Sequence, residues 1–272
     1  MVRGFKISRK KLGSAFKRYR RWISGLVLAV ATVPMTTWAI VDVQDEYYTA
    51  PDAEVLSAWS LDFSGATGND ARQTFSLEMH NLWRTEDRTL MLIGSYSRAD
   101  SGGRDTADNQ FLHGRYVRAL AAGRGIEGYV QTQKDRFQRL DSRHVIGVGY
   151  RLEREYESKR RLLLGIGGLV ERERYVDLAR SETNQRANIY LTTEIPLALA
   201  TAASVSFSAY LQPKFDDPGD LRSIALAKFE VKISSALSMD LTVAYDHDSN
   251  PLSGVEPQNV RYASGLTYRF QR

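Results

Sequence analysis

Residues 225–233 run Ala225-Leu226-Ala227-Lys228-Phe229-Glu230-Val231-Lys232-Ile233, and the order of these side chains decides the fold. Ala225, Ala227, Phe229, Val231 and Ile233 share one face of an extended chain, while Lys228, Glu230 and Lys232 share the other. That is the period of two that a β-strand imposes and an α-helix cannot satisfy. The same alternation sets Val205, Phe207, Ala209 and Leu211 against Ser204, Ser206 and Ser208, and Phe75, Leu77, Met79 and Trp83 against Thr74, Ser76, Glu78 and His80. Ile146, Val148, Tyr150 and Leu152 likewise oppose Val145, Gly147, Gly149 and Arg151, and Val55, Trp59, Leu61 and Phe63 oppose Ala58, Ser60 and Asp62. Two more runs, Met239 to Tyr245 and Val260 to Phe270, complete the series.

Each segment is about ten residues long, the length a tilted strand needs to cross the hydrocarbon of a bilayer. About twelve occur, centred near residues 59, 78, 93, 115, 131, 147, 166, 190, 208, 227, 243 and 265, so the pattern predicts an all-β transmembrane antiparallel β-barrel. A soluble β-sandwich also alternates, but its apolar face would point inward. The connections predict long outer loops at Asp100 to Asp108, Glu173 to Gln185, Phe215 to Asp220 and Asp246 to Gln258. Short inner turns are expected at Thr85 to Asp87, Ala121 to Gly125, Pro196 to Thr201 and Ser234 to Ser238. The tight link Phe137 to Asp141 breaks that rule. An Arg or Lys at the lipid midplane costs about 2–4 kcal/mol. Glu78, Arg143, Arg151, Arg161, Lys228, Glu230, Lys232, Arg261 and Arg269 are therefore expected to face the lumen, either pairing into a polar plug or lining a narrow pore for small charged solutes.

The first 39 residues read differently. Arg18, Arg20 and Arg21 precede an apolar run from Ile23 to Met35, and Thr37-Trp38-Ala39 places a small residue at a signal-peptidase cleavage position. Residues 1–39 are thus expected to be a cleaved signal peptide, 40–54 a short lead-in and 55–270 the barrel. An uncleaved anchor is the rival reading, but the apolar run falls short of the roughly 20 residues a spanning helix needs. Arg20-Arg21 lacks the flanking pattern of twin-arginine export, which favours the general secretory route. The leader holds nine of the 37 Lys and Arg and no acid, leaving 28 bases against 32 acids. The excess charge of +5 therefore belongs to the leader, and a basic nucleic-acid-binding surface is not expected. The absence of cysteine excludes disulfides, thiolate catalysis and Cys-ligated zinc.

The ending Gly265-Leu266-Thr267-Tyr268-Arg269-Phe270 resembles the terminal strand read by the outer-membrane insertion machinery, although Gln271 and Arg272 follow where Phe is usually last. Two stretches resemble the bacterial family known as domain of unknown function 481, whose members are described as salt-induced outer-membrane proteins. The first runs from Lys134-Asp135-Arg136-Phe137 through Asp141-Ser142-Arg143 to Gly147-Val148-Gly149-Tyr150-Arg151-Leu152. The second runs from Tyr210-Leu211-Gln212-Pro213 through Asp216, Asp217 and Arg222 to Tyr245-Asp246, Pro251, Gly254-Val255 and Leu266 to Phe270, with Ser64-Gly65 and Gly68-Asn69 upstream. The resemblance implies a porin-like barrel of a Gram-negative cell envelope, in contact with outer-membrane lipids and lipopolysaccharide. It supplies no catalytic residues.

Candidate sites are few, and no catalytic, cofactor-binding or metal-binding residue is assigned. Gly123-Arg124-Gly125-Ile126-Glu127-Gly128 matches the dinucleotide fingerprint in letters, but a strand follows where a helix is required, so a hairpin turn is expected. Gly147, Gly149, Gly165 and Gly167 recur every second residue on two adjacent strands, leaving space or permitting a bend. His247 and Ser249 lie two residues apart, and a His beside a Ser could activate a nucleophile in a lipid-modifying hydrolase. The surrounding Ser-Asn-Pro run is also ordinary turn chemistry. Asp100, Asp105, Asp108, Asp177, Asp216, Asp217, Asp220, Asp246, Asp248 and Glu256 gather in the expected outer loops, as solvated acids or as ligands for divalent cations bridging lipopolysaccharide phosphates. The functional expectation is a non-enzymatic envelope protein of structure or small-solute passage, to which the family resemblance alone adds a link to salt or osmotic stress. The alternatives are the His247/Ser249 hydrolase and a loop-based binding or adhesion protein.

Overall fold

A computed structural model describes residues 54–66, 72–136, 138–156, 160–176, 181–197 and 203–271. The expected leader, and all of the lead-in except Glu54, lie outside them. Twelve antiparallel strands follow one another around a closed ring: β1 (Val55–Ala66), β2 (Arg72–Arg84), β3 (Arg88–Ser101), β4 (Arg104–Leu120), β5 (Arg124–Asp135) and β6 (Leu140–Glu155), then β7 (Arg161–Tyr175), β8 (Ser181–Pro196), β9 (Ala203–Pro213), β10 (Leu221–Lys232), β11 (Leu237–Asp248) and β12 (Gln258–Gln271). Leu56–Ala58 against Arg269–Gln271 closes the ring between β1 and β12. Closure removes the free edges that an open sheet would present to lipid.

Register fixes which side of the wall each residue takes. Arg222 pairs with Gln212 and Asp248, Tyr190 with Tyr210, and Gly165 with Arg151, so one parity on every strand points inward. The opposite parity carries Leu61, Phe63, Val148, Ile166, Val260, Tyr262 and Leu266, each more than 60% exposed. So large an apolar surface on the outside is a lipid-facing belt rather than a core turned outward by mistake. The greasy-out, charged-in arrangement excludes the sandwich.

The expected loops differ from those observed. Asp100 to Asp108 is mostly strand: β3 and β4 meet at a two-residue turn, Gly102-Gly103, whose φ angles of +60° and +78° suit glycine. Glu173 and Gln185, expected in an outer loop, belong to β7 and β8. Polar residues extend the strands past the apolar belt, where alternating charge has the same composition as a loop. The two longest connections, Lys214–Asp220 and Ser249–Pro257, lie at the end opposite the termini, here called the loop end.

The paired glycines make room, as their spacing suggests. A Cβ at Gly147 would strike the Tyr129 ring, and one at Gly165 the Tyr190 ring. Both rings therefore lie flat along the inner wall. The Gly123–Gly128 stretch is a turn and strand start: a single 3-10 turn, Ala121–Gly123, leads directly into β5.

Candidate functional site: the ion-paired lumen and its vestibule

Charged side chains meet inside the barrel in two layers. Towards the loop end, Glu171 of β7 accepts from Arg143 of β6 at 2.6 Å and from Arg186 of β8 at 2.7 Å. Arg222 of β10 reaches Glu171 at 3.1 Å and Glu173 at 2.6 Å, then turns its Nε to Asp248 of β11 at 3.0 Å. Arg186 also binds Asp220 at 2.7 Å. The network thus extends from β6 to β11. Closer to the termini, Glu127 of β5 takes a bond from Arg115 of β4 at 3.1 Å and from the Tyr190 hydroxyl of β8 at 2.9 Å, with Arg151 of β6 at 3.7 Å. The Arg115 guanidinium lies 4.9 Å from the centre of the Tyr129 ring and 5.8 Å from that of Tyr190.

Arg115, Arg143, Arg151, Arg186, Arg222, Glu127, Glu171 and Glu173 are all at most 7% exposed. Ions this dry are retained only when opposite charges and hydrogen bonds replace their water. Arginine suits the task because its planar fork serves several acceptors at once. Paired charges of this kind, one of the two arrangements the sequence leaves open, line the β4–β11 side of the lumen. Arg143, Arg151, Arg161, Lys228, Glu230 and Arg261 take inward positions as expected, and so do Glu78 and Lys232 by register. Arg269 occupies an inward register position. Arg115, Glu127, Glu171, Arg186 and Arg222 are not among the charges expected from sequence to face the lumen, although each falls on the inward parity of its strand.

Above the network sits a small vestibule, partly open to solvent, lined by Arg143, Glu173, Arg222, Asp248, His247 and residues of the loop Pro251 to Pro257 among others. The loop reaches across the mouth: Arg139, in the β5–β6 turn, donates to the Ser253 carbonyl at 2.8 Å. Those two hairpins stand on opposite sides of the twelve-strand ring.

The loop also accounts for the candidate dyad. Ser249 Oγ donates to the Gly219 carbonyl at 2.8 Å and accepts from the Leu221 amide at 2.7 Å, stapling neighbouring loops, while His247 Nδ1 lies 3.1 Å from the Pro257 carbonyl. Both side chains thus engage loop backbone, the turn role that the Ser-Asn-Pro run predicts. Several of the acids proposed as cation ligands are engaged too. Asp105 pairs with Arg98 and Arg136, Asp108 with Lys134, Asp246 with Arg261 and Asp248 with Arg222. Burial opposes the charge of Asp220, yet bonds from Arg186 and Lys214 outweigh it and hold the carboxyl below its ordinary range. Asp177 lies outside the described residues. Among the described residues no group of three His, Asp or Glu is placed to hold a metal ion.

A closed ring of twelve strands, lipid-facing outside and polar inside, is an outer-membrane β-barrel. The fold is similar to the translocator domain of the autotransporter NalP from Neisseria meningitidis, with a TM-score of 0.50 and 11% identity over 94% of this chain and 96% of that one. The NanC porin gives a TM-score of 0.49 at 12% identity, covering 78% of this chain and 98% of that one. The family described as "Protein of unknown function, DUF481" matches residues 60–270, and the chain belongs to it. No curated protein matches the sequence.

Proposed function

We propose that this outer-membrane protein is a non-enzymatic envelope barrel whose resting lumen is occluded, acting as a scaffold rather than an open diffusion pore. The observation that carries the reading is the dry network around Glu171, in which Arg143, Arg186 and Arg222 converge from three strands. In an open channel, side chains at this depth would face water. Pairs that exclude water are screened little by salt, so the interior keeps its cohesion as ionic strength rises. That property fits an envelope protein serving under salt or osmotic stress, in line with the family resemblance. In planar bilayers the purified protein is expected to show no steady conductance. A stable open state of porin size would overturn the reading.

A second reading, gated passage of small charged solutes, is favoured by the vestibule and the loop held across it by Arg139. Deleting Leu252 to Val255 would then produce conductance; silence from the deletion variant leaves the scaffold. Two further parts of the proposal concern biogenesis. Cleavage after Ala39 is testable by N-terminal sequencing of the protein from outer membranes. Recognition by the insertion machinery through Gly265 to Phe270 predicts failed assembly when that strand is removed.

A further inference from the structure

The outward parity of the wall is not uniform. On β8 to β12, β1 and β2, no outward register position holds Arg, Lys, Asp or Glu; the positions are filled by residues such as Phe207, Leu211, Phe229, Leu241, Tyr262, Leu61 and Phe75. On β3 to β7 the same parity carries Arg88, Arg98, Arg118, Arg124, Lys134, Arg154, Arg172 and Arg174, with Asp100 and Asp108 beside them at the loop end. The cations stand at two heights. Arg88 and Arg98 on β3, and Arg124 and Lys134 on β5, are each ten residues apart. Ten strand residues measure about 33 Å, or about 25 Å of height at the usual tilt, which is the height of a barrel's apolar band. One sector of the barrel is thus bracketed above and below by cations at the depth of lipid phosphates.

The loop-end cluster is the denser one. Arg98, Arg136 and Arg174 keep 60, 58 and 62% of their side chains exposed although each touches a carboxylate, Asp105 for the first two and Asp141 for the third. Lys134 meets Asp108 at 3.2 Å, and Arg172 donates to Ser181 Oγ. Five cations face three carboxylates, which hold the guanidinium groups in place without covering them. Four interstrand steps separate β3 from β7, roughly 19 Å of wall. A single phosphodiester headgroup would use a fraction of that width, whereas a bisphosphorylated disaccharide lipid can engage both ends. The adjoining outward positions Thr183 and Gln185 of β8 offer hydroxyl and amide groups suited to sugar hydroxyls.

We propose that Arg98, Lys134, Arg136, Arg172 and Arg174 form a binding site for the phosphates of lipid A, the membrane anchor of lipopolysaccharide, on the outer wall of β3 to β7. The site needs the loop end to face the cell exterior and is independent of whether the lumen conducts. The chain has no cysteine, so Gly254→Cys is a unique label for that orientation. Labelling on intact cells by a membrane-impermeant maleimide is expected; protection until the outer membrane is broken would overturn the site. The binding test uses the full-length barrel in detergent, with bisphosphorylated lipid A, its dephosphorylated form and phosphatidylglycerol as probes, and heat-modifiable gel mobility as the check of folding. Arg172→Gln with Arg174→Gln, and separately Arg98→Gln with Arg136→Gln, should each weaken lipid A binding about 10- to 30-fold. The corresponding Lys pairs should retain it. Arg88→Gln with Arg118→Gln, at the other height, should leave it unchanged. Unaltered affinity in both loop-end double variants, equal affinity of the wild type for dephosphorylated lipid A, or equal affinity for phosphatidylglycerol would each refute the assignment.

Discussion

Four consecutive residues of β7, Glu171-Arg172-Glu173-Arg174, divide between two environments. The glutamates point into the lumen, where they are at most 2% exposed and meet Arg143, Arg186 and Arg222. The arginines point outward, where Arg174 keeps 62% of its side chain exposed and Arg172 meets a serine hydroxyl. Inside, each charge is fixed by several partners and shielded from water, so removing one strands the others. Outside, water and lipid headgroups replace whatever is lost. Identical chemical groups thus perform structural work on one side of a single strand and remain available for recognition on the other.

The largest test of that contrast is Glu171→Gln, which leaves Arg143 and Arg222 sharing Glu173 and Arg186 with Asp220 alone in a dry interior. Removing one partner of a buried ion pair costs about 3–5 kcal/mol, and urea titration of the refolded barrel in vesicles should show a loss of that order. A loss no greater than that of a rim variant would mean that water reaches the network. Next comes the belt. Leu241→Arg places a cation in the outward face of β11, which carries none, and should cost about 2–4 kcal/mol in the same assay if its position is near the midplane. The matching insertion at the basic rim, Thr132→Arg on β5, should cost about 0–1 kcal/mol because headgroups are within reach. Equal penalties at the two positions would erase the distinction between sectors. Smaller again is Arg98→Gln, an exposed pair whose loss should change stability by about 0–1 kcal/mol.

Much of the barrel is legible in the sequence for a physical reason. Lipid imposes a strict two-residue period, and every centre read from that period falls within a few residues of the middle of an observed strand. Strand ends are less legible, because lipid no longer constrains them. Gln185 and Glu173 resemble loop residues until the register shows that their strands continue beyond the belt. The glycine rows on β6 and β7 announce a need for space, but the rings that fill it, Tyr129 and Tyr190, come from β5 and β8 and appear only when the ring closes. The ion network is hidden for the same reason. Arg222 and Glu173 lie 49 residues apart on strands that do not pair, so no local pattern joins them. His247 and Ser249 show the opposite case: their adjacency admits a nucleophile-and-base reading beside ordinary turn chemistry, and their hydrogen bonds follow the turn.

The smallest expected effect concerns Asp220, where interior and exterior meet. Its carboxylate holds Arg186 from the lumen and Lys214 from the loop, and its pKa is depressed in the folded protein. A depressed carboxyl contributes stability above its unfolded pKa of about 3.9 and loses it as pH falls through the folded value. The Lys214–Asp220 loop should therefore hold its protection at pH 5 and loosen progressively below about pH 4. Amide exchange at Phe215 to Gly219, corrected for intrinsic rates, measures this directly. In Asp220→Asn the acid-dependent part of the exchange should disappear while the Glu171 layer beneath remains protected. If loop and layer instead opened together at the same pH, Asp220 would belong to the interior network, and the division between a fixed inside and an adaptable outside would lie higher up the wall.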